Sequence, residues 1–136
     1  QGNYADVAGA LQIIDPATGT SKVILNDATK ITEGHDDLIY GVRATYDANW
    51  QLTNSFFIYN PKMGDVSETS FLQDAPSSFS TAAIYLLEVD EETGFIYVGT
   101  SDYTTNSTIY QFAKMGQFVQ SFDSGGINPS AMVFVD

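Results

Sequence analysis

The sequence predicts an all-β fold built from four-stranded antiparallel meanders. Three observations predict it. The stretch Ala82 to Asp123 divides into four short apolar runs separated by turn residues. The same pieces recur elsewhere in the chain in the same order. Helical periodicity appears nowhere. Short apolar runs rich in β-branched and aromatic residues, each bounded by Gly, Pro or Asp, favour strands over helices.

Within that stretch the strands are Ala82 to Asp90, Phe95 to Thr100, Ser107 to Ala113 and Gln117 to Phe122. Glu92-Thr93-Gly94 and Lys114-Met115-Gly116 are the turns, and each ends on a glycine that can take a positive φ. A meander of roughly 45 residues is the unit of a β-propeller blade.

Three hairpins repeat along the chain. They are Leu11 to Gly19, Phe56 to Gly64 and Thr108 to Gly116, and each is followed by a further strand, Ser21 to Leu25, Val66 to Leu72 or Gln117 to Phe122. Pro16 and Pro61 pre-set φ in the turns and cannot continue a central strand. A second element also repeats: Leu38-Ile39-Tyr40-Gly41-Val42 matches Phe95-Ile96-Tyr97-Val98-Gly99, each behind an acidic turn. With the strands of a blade lettered a to d, the chain reads as one domain, 1–136. Strands c and d occupy 1–25, a full blade 29–72, a second full blade 80–123, and a last strand a 130–136, entered through Asn128-Pro129-Ser130. The expectation is a partial β-propeller of about three blades. Closed propellers have about four to eight, so the ring must be completed by more of the same protein or by a second chain. An open arc exposes apolar faces and strand edges.

In such a meander the a–b and c–d turns share one end, and the b–c and d–a loops share the other. The first set reads as tight and the second as long. Long irregular loops on a rigid scaffold are where binding residues gather. Tyr46, Trp50, Asp74, Ser77 and Tyr103 are therefore expected on one ligand-binding end. Trp50 and Tyr103 offer large rigid faces with a polar tip; the alternative reading is that they cap the ends of the blades. Gly2-Asn3-Tyr4-Ala5-Asp6 would be another loop of this end.

Composition narrows the chemistry. Of 136 residues 43% are hydrophobic and 13% aromatic, enough for a real core. Seventeen acidic residues against five basic ones give a net charge of −12, which opposes binding to nucleic acid or an anionic membrane surface. Cysteine is absent, and no apolar run approaches the ~20 residues of a membrane span. One histidine and no cysteine do not make a zinc site, and His35 reads as a solvated turn residue. Asp36-Asp37 and Asp90-Glu91-Glu92 lack the spacing of a calcium loop and read as solvated turns. No pair of carboxylates is singled out for catalysis, so no catalytic residue, metal or cofactor is assigned. Asn106-Ser107-Thr108 fits the short glycosylation pattern. No signal peptide is visible, and Gln1 stands where an initiator methionine would, so the chain is read as cut or processed, which leaves room for a lost leader.

Ile96-Tyr97-Val98-Gly99-Thr100, followed by Asp102-Tyr103 and Thr108-Ile109-Tyr110, resembles the bacterial YVTN-type surface-layer propeller repeat. Phe122 to Pro129 resembles the blade-to-blade junction of a propeller family of gut Bacteroidetes, and Gln1-Gly2-Asn3-Tyr4 resembles its b–c loop. Gln111-Phe112-Ala113 departs from that family's Tyr-Asp-Pro-like turn. The resemblance implies an exported protein of the cell surface (an outer-membrane lipoprotein) or periplasm, with a seven-bladed ring; similar propellers include surface lipoproteins that capture cobalamin. The expected function is thus a non-enzymatic binding protein for a small molecule such as cobalamin, a glycan or a protein. The alternatives are a propeller enzyme, a lyase or quinoprotein-like oxidoreductase, and an assembly or adhesive surface protein.

Overall fold

The computed structural model describes residues 9–135, and among these it is all-β, with ten strands in three antiparallel sheets. Strands β1 (Ala10–Asp15) and β2 (Thr20–Asn26) form a hairpin. Strands β3 (Ala28–Glu33), β4 (Ile39–Tyr46), β5 (Leu52–Asn60) and β6 (Asp65–Ser67) form a meander. A second meander contains β7 (Ala83–Val89), β8 (Ile96–Ser101), β9 (Thr108–Phe112) and β10 (Phe118–Asp123). Neighbours in sequence are neighbours in every sheet. The longest helical segment is one 3-10 turn of four residues, Ser77–Ser80. The described residues form no closed ring, and the loop expected at Gly2–Asp6 lies outside them.

The side-chain period of two in β5 builds two cores at once. Phe56 joins the cluster of Tyr40, Val42, Phe79, Leu87, Val89, Ile96, Val98 and Phe112, between the two meanders. Phe57 and Tyr59 turn to the opposite face and meet Leu11 and Ala28 under the hairpin. The three sheets are thus stacked face on face, with the first meander in the middle. Phe57, Phe79 and Phe112 are fully buried, and each such side chain contributes about 1.5–3 kcal/mol.

Three hairpin turns share one design. Asp15 and Asn60, the last residues of β1 and β5, and Asp90, the first after β7, each accept through Oδ1 the backbone N–H two residues on, from Ala17, Lys62 and Glu92. A left-handed glycine then donates back to that same residue's carbonyl: Gly19 to Asp15, Gly64 to Asn60 and Gly94 to Asp90, at 2.7–2.8 Å. The β9–β10 turn lacks the side-chain cap, as Ala113 has no acceptor to offer. Its Gly116 instead accepts the N–H of Gln73 at 3.0 Å.

These turns gather at one end of the molecule. Lys62 pairs with Asp37 at 2.5 Å and Lys114 with Asp36 at 3.8 Å. The Nδ1 of His35 donates to the carbonyl of Glu91 at 3.0 Å. The acidic β3–β4 turn is therefore an electrostatic clasp across both meanders, and His35 is half-buried in it rather than simply solvated.

Two segments differ from the sequence expectation. The strand expected at 66–72 stops at Ser67. Ser70 closes a local turn onto Leu72, and Phe71 swings inward to place its ring 5.0 Å from that of Tyr40. The strand expected at 130–136 does not form over 130–135. A strand requires a ladder partner, and this segment crosses the outer face of the second meander instead. Phe134 packs on Tyr97 with ring centroids 5.3 Å apart, and Pro129 lies against Gly99.

Candidate functional site

The end opposite the clasp carries the β4–β5 and β8–β9 connections. The sequence suggests a long irregular loop around Trp50. In the structure the additional residues instead lengthen β4 and β5, whose ladder runs out to the pair Tyr46↔Leu52. The connection is then a tight turn, 47–51. Asp47 builds it: its Oδ1 accepts the N–H groups of Asn49 at 2.8 Å and Gln51 at 2.9 Å, and its carbonyl accepts that of Trp50. Trp50 is held at φ 59° and is 76% exposed. Its ring stands 6.3 Å from that of Tyr46, itself exposed, with the planes inclined at 56°.

The β8–β9 loop uses the same chemistry. Asp102 Oδ1 accepts the N–H groups of Thr104 and Thr105, and Oδ2 accepts the Thr105 hydroxyl. Those donors, the Thr105 N–H foremost, hold its carboxyl well below the usual carboxylate range. Ser101 Oγ accepts the N–H of Tyr103 at 3.0 Å. Tyr103 sits at φ 66°, exposed, with its ring edge-on to Tyr85 at 5.5 Å. Left-handed backbone is costly for a bulky residue, yet two of the aromatic residues singled out from the sequence adopt it. Strain of this kind collects at ligand sites.

The five residues expected together do not all meet. Tyr46 and Trp50 form one exposed pair, and the exposed Tyr103 packs on the half-buried Tyr85. Ser77 opens the 3-10 turn after β6; Asn54 of β5, buried, donates to the carbonyls of Phe79 and Ala82 and holds this turn beside β5. Asp74 is elsewhere. Gln73 is tied to the β9–β10 turn by its N–H to Gly116 and by its side chain to the Met115 carbonyl at 2.8 Å. Asp74 therefore leaves from the clasp end, because the connection after the shortened β6 first crosses to that turn.

Tyr85 and Lys30 lie on strands, β7 and β3, and not in the long loops that the sequence marks for binding. The Lys30 ammonium stands 5.8 Å from the centroid of the Tyr85 ring. Tyr85 falls at a register break in β7, between Ile84 and Leu86, and Lys30 follows another in β3, after Ala28. Bulges re-aim side chains and cluster near functional sites, but a one-residue shift leaves no mark in composition. The aspartates at 47 and 102 did leave a signal: Asp followed by short polar residues favours a turn closed by its own side chain.

On the clasp side, Thr32, Glu33, the acidic run Glu88 to Glu92 and Met132 to Phe134 line an open cleft of about 390 Å³. Thr32 donates to Glu88 there at 2.9 Å. Among the described residues no three His, Cys, Asp or Glu side chains are grouped to hold a metal ion. None of the described helical segments is long and apolar enough to cross a membrane. No protein-family model and no curated protein sequence matches the chain.

Proposed function

We propose that the chain is a non-enzymatic binding module made of β-propeller blades, which takes its ligand on the end carrying Tyr46, Trp50, Tyr85 and Tyr103. One observation carries the reading: Trp50 and Tyr103 are exposed aromatic rings fixed in left-handed backbone by aspartate-capped turns. A rigid, exposed, strained aromatic contributes little to a core and much to a contact. The propeller reading is supported by the stacking. Tyr40 and Tyr97 match in the repeat. Val89 of the next sheet and Tyr40 both lie against Gly34, while Phe134 of the last segment meets Tyr97. Residues 130–135 thus stand to the second meander as β7 stands to the first.

The ligand class is a small molecule such as cobalamin, a glycan or a protein, and the place of action is the bacterial surface or periplasm. The place of action and the example of cobalamin follow from the resemblance to surface propeller repeats. Fluorescence of Trp50, the only tryptophan, should change on titration with the true ligand. Trp50→Ala should weaken binding by about 1–3 kcal/mol. A ligand that docks on the Gly19, Gly64 and Gly116 turns instead would sink the assignment of the face.

A further inference from the structure

We infer that Lys30, Tyr85 and Tyr103 form a subsite for the carboxylate of an acidic sugar unit within an otherwise neutral glycan; this rests on the binding reading above. Three elements from two sheets supply it: Lys30 from β3, Tyr85 from β7 and Tyr103 from the β8–β9 loop. The Lys30 ammonium faces the Tyr85 ring at 5.8 Å, and the edge-on contact of Tyr85 with Tyr103, at 5.5 Å, makes a corner of two aromatic faces beside it.

The charge pattern selects the ligand. Arg43, Lys62 and Lys114 are engaged by carboxylates. Among the described residues Lys22 and Lys30 pair with no carboxylate, and of these two it is Lys30 whose charge sits against an aromatic ring. A cation so placed remains available to an arriving anion, with the ring stabilising it meanwhile. The aromatic corner suits the C–H face of a pyranose ring. A polyanion is disfavoured by the chain's net charge of −12, whereas a single carboxylate on a neutral chain gains the local attraction at small long-range cost.

The test is calorimetric titration of the whole protein with two acidic probes, sialyllactose and glucuronosyl-xylotriose, and their neutral counterparts, lactose and xylotriose. At least one acid should bind at least tenfold more tightly than its neutral partner. Lys30→Met should erase that preference while leaving the melting temperature in place. Tyr103→Asn, which keeps a residue tolerant of left-handed backbone, should weaken acid and neutral sugar alike. Equal affinity for acid and neutral sugar, or a preference that survives Lys30→Met, overturns the subsite. If neither acid binds while Trp50 fluorescence still reports another ligand, the subsite alone falls. If no probe and no other ligand binds saturably, the binding reading falls with it.

Discussion

Gly41 and Phe57 face each other across the β4–β5 ladder, and a Cβ on Gly41 would lie 2.2 Å from Cζ of the Phe57 ring. The glycine is what admits a fully buried phenylalanine beneath the hairpin. Gly41→Ala should destabilise the protein by about 1–3 kcal/mol, the usual cost of overpacking a core. Phe57→Ala should cost about 3–5 kcal/mol. The double variant should cost less than the two together, since the alanine methyl then enters the space the ring leaves. Strict additivity in denaturant melts would show that the two residues are not coupled.

Gly19 and Gly116 both have positive φ, 68° and 91°, but only one is crowded. Nothing lies within 4 Å of a Cβ at Gly19, whereas one at Gly116 would fall 2.1 Å from the backbone oxygen of Phe71. Gly19→Ala should therefore cost only the left-handed penalty, about 1–2 kcal/mol. Gly116→Ala should cost clearly more, because a backbone oxygen cannot step aside as a side chain can. Equal losses for the two would contradict the docking of the Phe71–Gln73 segment on that turn.

Trp50→Gly separates stability from binding. It releases the left-handed strain and removes a ring that is mostly in solvent. Thermal stability should rise by up to about 1 kcal/mol, while ligand affinity falls. A variant that melts earlier would mean that the contact with Tyr46 outweighs the strain.

Asp102 links the β8–β9 loop to pH. Its carboxyl is held below its unfolded value by the Thr105 and Thr104 N–H groups and the Thr105 hydroxyl. A depressed acid stabilises the fold above its unfolded pKa, about 4, and loses that contribution as pH falls through the folded value. Asp102→Ala should therefore melt below the parent protein at pH 6, with the gap closing as the pH is lowered from 4. A gap independent of pH would assign the residue a role that does not depend on its charge.

The all-β character and the order of the meanders were legible because strand, turn glycine and repeat are local signals. The long β4–β5 hairpin was not: Tyr46 to Leu52 holds the same residues whether it forms a loose loop or two longer strands, and only the ladder decides. The fate of Asp74 was equally hidden, since it depends on Gln73 finding Gly116, a contact 43 residues away that nothing in the sequence announces. Trp50 was visible as a candidate because it is unique. Lys30 and Tyr85 were not, because they come together only when two sheets stack.

Phe56 and Phe57 place the middle sheet in both cores, while the hairpin and the second meander each rest on one. Cooperativity in such a stack passes only between adjacent layers, as in repeat proteins. Amide exchange should then follow a gradient, slowest in β4 and β5 and fastest in β1, β2 and β10. The binding end would be graded too, with Tyr46 and Trp50 on the slowest-opening layer and Tyr103 on the one that opens sooner.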